Sequence, residues 1–151
     1  KQFIQKYFNE AKSLKKFIDG SNKQIENHAF IYSFFGRKRR LPEAKSPNRG
    51  VSQHAIRSGV NFLVQSVASD INVLGVIDLV KWIEDNNYSD DIKPFTVVHD
   101  SIVSEVREDL IDTYIENARR CIQTDRGLSI PGCPIKVDFE VGPSWGELTE
   151  L

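Results

Sequence analysis

The sequence predicts an α+β fold in which a small antiparallel sheet, a hairpin plus a third strand, is backed by long helices. Three patterns support this. The stretch from Val51 to Glu84 lacks proline and keeps Ala55, Ile56, Val60, Leu63, Val64, Val67, Ile71, Leu74 and Ile77 at helical spacing. Two β-rich runs, Phe95 to Val98 and Ile102 to Val106, are separated only by His99-Asp100-Ser101, which reads as a tight hairpin. Ile135 to Val141 alternates apolar with charged residues, as a half-exposed strand does.

Taken in order, Phe3 to Ile25 is an amphipathic helix, with Phe3, Tyr7, Ala11, Leu14, Phe17 and Ile18 three or four residues apart and a bend expected at Gly20-Ser21-Asn22. His28 to Phe35 is aromatic and β-branched and is followed by Gly36 and Arg37-Lys38-Arg39-Arg40. This predicts a small hairpin or extended tongue bearing four consecutive cations. Pro42 to Gly50 is a loop, Val51 to Glu84 one long helix or two end to end, and Asn86 to Asp91 a polar turn. Glu108 to Gln123 is helical, with acids near its start where the helix dipole favours them. Pro131-Gly132-Cys133-Pro134 is a loop, and Gly142-Pro143 stops the last strand.

With 151 residues, 40% apolar and 27% charged, the chain has the make-up of one ordinary domain, which excludes disorder and collagen-like repeats. A chain of this length buries roughly 70% of its unfolded surface, so it needs no disulfide or structural metal. Cys121 and Cys133 and the three histidines, His28, His54 and His99, lack disulfide-framework or zinc spacing, so a reducing compartment, the cytoplasm, is expected. No apolar run is expected to approach the ~20 residues of a membrane span, so no membrane partner is expected. The basic opening lacks a signal-peptide core. Methionine is absent, and the chain is therefore expected to be processed, trimmed or a piece of something longer.

The small net charge of -1 conceals an asymmetry. Lys1 to Arg57 carries thirteen basic and four acidic residues, and the remainder carries seven and seventeen. The first part suits a polyanion and the second a solvated or metal-attracting surface; two compensating charged faces would read the same way. The first thirty-five residues also crowd Phe3, Phe17, Phe30, Phe34 and Phe35, more than a short helix and hairpin bury easily, which predicts self-association.

Two constellations suggest chemistry. Arg57, Asn61 and Gln65 are spaced by four on the long helix and fall within about 80° of arc on one face. Such a column offers donors to the N3 and O2 acceptors of a DNA minor groove, and it equally suits a solvent face or a buried amide network. Asp100 sits at a hairpin tip between apolar strands, where rigid backbone could present a carboxylate to Mg²⁺. An acid in a turn is also common for local hydrogen bonding. His99 beside it would suit a histidine-aspartate metal phosphohydrolase, which needs more ligands than His28 and His54 supply.

Three segments then fall in a recognisable order: Phe35-Gly36-Arg37-Lys38-Arg39-Arg40-Leu41-Pro42, the run from Arg57 through Asn61 and Gln65 to Asp70, and Val98-His99-Asp100-Ser101 to Val106. They resemble the C-terminal part of family A DNA polymerases, the DNA polymerase I type, including bacteriophage members. The tail from Pro134 to Trp145 is similar too, and the resemblance covers nearly the whole chain. It implies a single C-terminal segment, with residues 1–50 the end of the fingers and a basic hairpin, and 51–151 the second half of the palm. Asp100 matches the family's second catalytic carboxylate, a ligand of the two-Mg²⁺ site, and His99 the residue beside it near the primer end. Arg57, Asn61 and Gln65 match positions that contact the template-primer duplex from its minor-groove side.

The implied activity is template-directed nucleotidyl transfer in DNA replication. The implied partners are template-primer DNA, deoxynucleoside triphosphates and the remaining polymerase segments, in the same or a companion chain. The implied compartment is the cytoplasm, the host's if the source is a bacteriophage. Ser101 stands where many members have Glu. The first catalytic Asp, the nucleotide-binding fingers helix, the thumb and the proofreading exonuclease have no counterpart in these residues. Two metals need at least two carboxylates, so these residues by themselves are expected to be inactive. The rival reading is a non-catalytic DNA-binding module or remnant that keeps the duplex-contacting helix; a third is an unrelated interaction domain whose matches are accidental.

Overall fold

The N-terminal amphipathic stretch forms two helices, α1 (Gln2–Glu10) and α2 (Lys12–His28), in a computed structural model that describes residues 2–128 and 130–151, with side chains from Lys6 onward. The break falls at Ala11 (φ -97°, ψ 56°) and not at Gly20. Helix persists through Gly20, and the buried Ser21 hydroxyl is satisfied within it by donating to the Phe17 carbonyl one turn back, at 2.8 Å. Nothing in the sequence explains a break at alanine, the best helix former. The helices belong to the first of two compact units, Lys1–Ala68 and Ser69–Leu151.

In the first unit α2 ends at Ala29, which is left-handed (φ 56°) and donates its N–H to the Ile25 carbonyl. The expected tongue follows as an antiparallel ribbon of β1 (Phe30–Tyr32) and β2 (Lys38–Arg40), with Phe30 opposite Arg40 and Tyr32 opposite Lys38. At its tip the Ser33 N–H donates to the Arg37 carbonyl, and Gly36 takes the positive φ (81°) that the turn requires. Part of the expected loop is a 3₁₀ turn, Pro42–Lys45. The Asn48 side-chain oxygen then accepts the Gly50 N–H and caps α3 (Arg49–Asp85). Ile25, Ile31, Leu41, Ala44, Ala55 and Ile56 form this unit's core. Gly59 lies against it so closely that a Cβ would stand 2.5 Å from Ile25 Cδ1 and 2.6 Å from Leu41 Cδ1.

At 37 residues α3 corrects one expectation: it is long and apolar enough, by length and composition alone, to cross a membrane. The run was not apparent as a continuous stretch because Asn61, Gln65, Ser66, Asp70 and Asn72 interrupt it. The aromatics crowded near the N-terminus are partly uncovered: Phe17 and Phe34 are exposed and Phe30 and Phe35 half-buried, while the Phe3 side chain lies outside the described residues.

In the second unit α3 ends in a Schellman arrangement. Asn87 is left-handed (φ 58°), and the N–H groups of Asn87 and Tyr88 bond the carbonyls of Glu84 and Ile83. β3 (Ile92–Val98) and β4 (Ser101–Val106) pair antiparallel, with the register shifting between Pro94 and Thr96. β3 starts three residues earlier than expected, because a proline that cannot donate to the ladder is accommodated beside this bulge. After a 3₁₀ turn, α4 (Ile111–Ile122) packs so closely that a Cβ on Gly75 would lie 3.0 Å from the Ile122 Cα. Leu79, Ile83, Ile92, Leu110, Ala118 and Cys121 form the core.

Residues 135–141 alternate half-buried and exposed as expected, but the ladder is shorter. Only β5 (Glu140–Val141) pairs, and its partner is β6 (Thr149–Glu150), not the β3–β4 hairpin. The described residues are α+β as expected, with the strands in three separate two-stranded ribbons.

Candidate carboxylate site and nucleic-acid interface

His99 and Asp100 are the two central residues of the β3–β4 turn, between paired Val98 and Ser101. His99 adopts a left-handed backbone (φ 57°), uncommon for a residue with a side chain although His tolerates it better than most. Such conformations persist where the surroundings hold them, and they cluster at functional sites. The anchoring lies at the hairpin's other end. Ile92 is buried in the core, Ser104 Oγ and Tyr114 Oη share a 2.6 Å hydrogen bond, and Arg107 pairs with Asp91 at 2.7 Å. Burial pushes the Tyr114 phenol above its ordinary pKa, and the hydrogen bond from Ser104 partly opposes the shift.

Asp100 is therefore an exposed carboxylate on a rigidly rooted ribbon, with Ser101 exposed beside it. Among the described residues no three His, Cys, Asp or Glu side chains gather as a metal site. The described residues thus present Asp100 as an exposed carboxylate and gather no metal site by themselves. The additional ligands of a histidine-aspartate phosphohydrolase are likewise not gathered among those residues.

In the first unit, Arg57, Asn61 and Gln65 are all exposed, while Ala55, Ile56 and Gly59 of the same helix face the core. None of the three makes a hydrogen bond or ion pair with another described residue, so the column is not a buried amide network. The four cations of the ribbon do not act alike. The Arg39 guanidinium donates to Ser58 Oγ at 2.8 Å and, like that of Arg37, lies over the Phe62 ring, whereas the Lys38 Nζ sits 3.8 Å from the centre of Phe30. The sequence reading missed this division, although strand alternation was the signal for it. The column and the hairpin turn belong to different compact units.

Small antiparallel ribbons on long helices define a polymerase palm-like α+β segment. The same fold occurs in the polymerase domain of Pol1 from M. smegmatis, solved in complex with DNA primer-template and dNTP (TM-score 0.70, 25% identity, 80% of this chain and 21% of that one). The chain belongs to DNA polymerase family A, whose profile matches residues 1–147. It is 50% identical over 140 residues to the DNA polymerase of Escherichia phage T5, covering 93% of this chain and 16% of the relative. It is 28% identical over 145 residues to DNA polymerase I of Pseudomonas aeruginosa, covering 96% of this chain and 15% of that enzyme. The chain thus spans about a sixth of the length of these relatives.

Proposed function

We propose that these residues are the C-terminal palm segment of a DNA-directed DNA polymerase of bacteriophage type, acting in template-directed nucleotidyl transfer. Residues 1–50 are the end of the fingers and 51–151 the second half of the palm. The observation that carries the reading is the exposed Asp100 at a rooted hairpin tip in a chain that matches family A almost end to end. Asp100 supplies one carboxylate toward a Mg²⁺ site whose other ligands come from further polymerase segments, and bound Mg²⁺ supplies positive charge for phosphoryl chemistry. His99 stands beside it at the primer end. Arg57, Asn61 and Gln65, free of internal partners, donate to the minor groove of the template-primer duplex. The partners are template-primer DNA, deoxynucleoside triphosphates and the remaining polymerase segments, and the compartment is the cytoplasm in which the genome is copied.

Primer extension with the chain alone and after mixing with a polypeptide carrying the rest of a family A polymerase tests this. Extension is expected only from the mixture; Mg²⁺-dependent extension by the pure chain would overturn the divided site.

A further inference from the structure

The ribbon of β1 and β2 has an outer face that supplies none of the residues proposed above for duplex or metal binding. Residues two apart on a strand share a face, and the register sets Phe30 opposite Arg40 and Tyr32 opposite Lys38, so two aromatic rings alternate with two cations on one surface. Phe30 and Tyr32 meet edge to face at 5.5 Å, and the His28 ring extends the row 5.7 Å from Phe30. Tyr32 is 48% exposed, and Lys38, Arg40 and His28 are exposed too. The inner face is fixed, with Ile31 buried in the core and Arg39 held by Ser58 and Phe62. The platform therefore stands on rigid backbone, and a shallow hollow of about 250 Å³ opens between His28, Phe30, Lys38, Arg40 and Pro42.

We infer that this face binds a single DNA strand, its unpaired bases stacking on Tyr32 and Phe30 and its phosphates meeting Lys38 and Arg40. Rings of this kind accept any base because every base has a π face, and flanking cations follow the backbone without reading sequence. Lys38 now lies over Phe30 and more distantly over Tyr32, at 5.7 Å. At an exposed site that cation–ring contact is weaker than base stacking, so an arriving base displaces the ammonium, which moves to the adjoining phosphate. Neither the helix column nor Asp100 takes part. That the strand is DNA rests on the polymerase reading; the stacking surface itself does not.

Fluorescence anisotropy of the 151-residue chain with a labelled oligothymidylate, and separately with a blunt DNA duplex, tests the inference. Tyr32→Ala should weaken oligothymidylate binding about 5- to 150-fold, the span of one lost base stack, and leave duplex binding unchanged. Tyr32→Trp should restore it, and Tyr32→Leu, which keeps apolar bulk without the ring, should not. Replacing Lys38 and Arg40 together by Gln should lower the log–log salt slope for the single strand by about 1.4. Unchanged oligothymidylate affinity in a normally melting Tyr32→Ala or Tyr32→Leu protein would overturn the proposal, as would equal losses on duplex and single strand. A Tyr32 dependence seen with oligouridylate only would overturn the assignment to DNA while leaving the stacking face in place.

Discussion

Replacing Arg57, Asn61 and Gln65 by alanine, singly and together, separates a DNA-facing column from a structural one. All three are exposed and none bonds another described residue, so their removal leaves no buried group unsatisfied. Alanine propagates helix better than arginine, asparagine or glutamine, by up to about 0.7 kcal/mol per residue, so propensity acts only to stabilise and each single substitution should change folding by less than about 1 kcal/mol. For a chain of this size that moves Tm by no more than about 2–4 °C. Each lost donor to the duplex should instead remove about 1–3 kcal/mol of transition-state stabilisation, the scale of a hydrogen bond to a buried or charged partner, or roughly 5- to 150-fold in kcat/KM. The groove acceptors recur at nearly the same places in every base pair, so the loss should be similar for all four template bases. Thermal melting and primer extension by the completed polymerase read the two quantities on the same variants. A Tm fall well beyond 4 °C with unaltered extension by the surviving folded enzyme would refute the reasoning.

Two further outcomes follow from packing and electrostatics. Gly59→Ala should destabilise the protein by about 1 kcal/mol, because the strain of overpacking Ile25 and Leu41, about 1–3 kcal/mol, exceeds the helix gain of about 1 kcal/mol; a raised Tm in thermal melting would contradict the packing. The hydrogen bond from Arg107 holds the exposed Asp109 carboxyl below the usual carboxylate range. Its small stabilising effect is therefore present above the unfolded value of about 3.9 and is lost as pH falls through the depressed one. In Arg107→Gln the Asp109 titration should move up toward that unfolded value, followed by NMR, and an unmoved titration would refute the pairing.

Much of the fold was legible because long-range packing and local pattern agree. In α3 the helical spacing from Ala55 to Leu74 was dense enough to survive its polar interruptions, and the β-rich runs around His99 and Asp100 left room only for a tight turn. What was not legible depended on neighbours distant in sequence. The alternation of Ile135 to Val141 recorded which side is covered, and it carried no information about a ladder partner, which turned out to be Thr149–Glu150. Pro94 concealed the first residues of β3 because the bulge that tolerates it is a property of the pair of strands. At the candidate site, residue types and order pointed to Asp100 and the α3 column. The left-handed His99 and the partners of Arg39, Ser58 and Phe62, were not legible, because they depend on tertiary contacts that no local pattern records.

The central claim, that Asp100 is a metal-binding carboxylate of a polymerase, is tested most directly by Asp100→Asn in the chain completed with the remaining family A segments. Removing one charge from an exposed side chain with no internal role should leave folding and duplex affinity unchanged, while Mg²⁺-dependent turnover in primer extension falls by several orders of magnitude. Turnover within tenfold of the unaltered protein, at equal DNA occupancy, would contradict it.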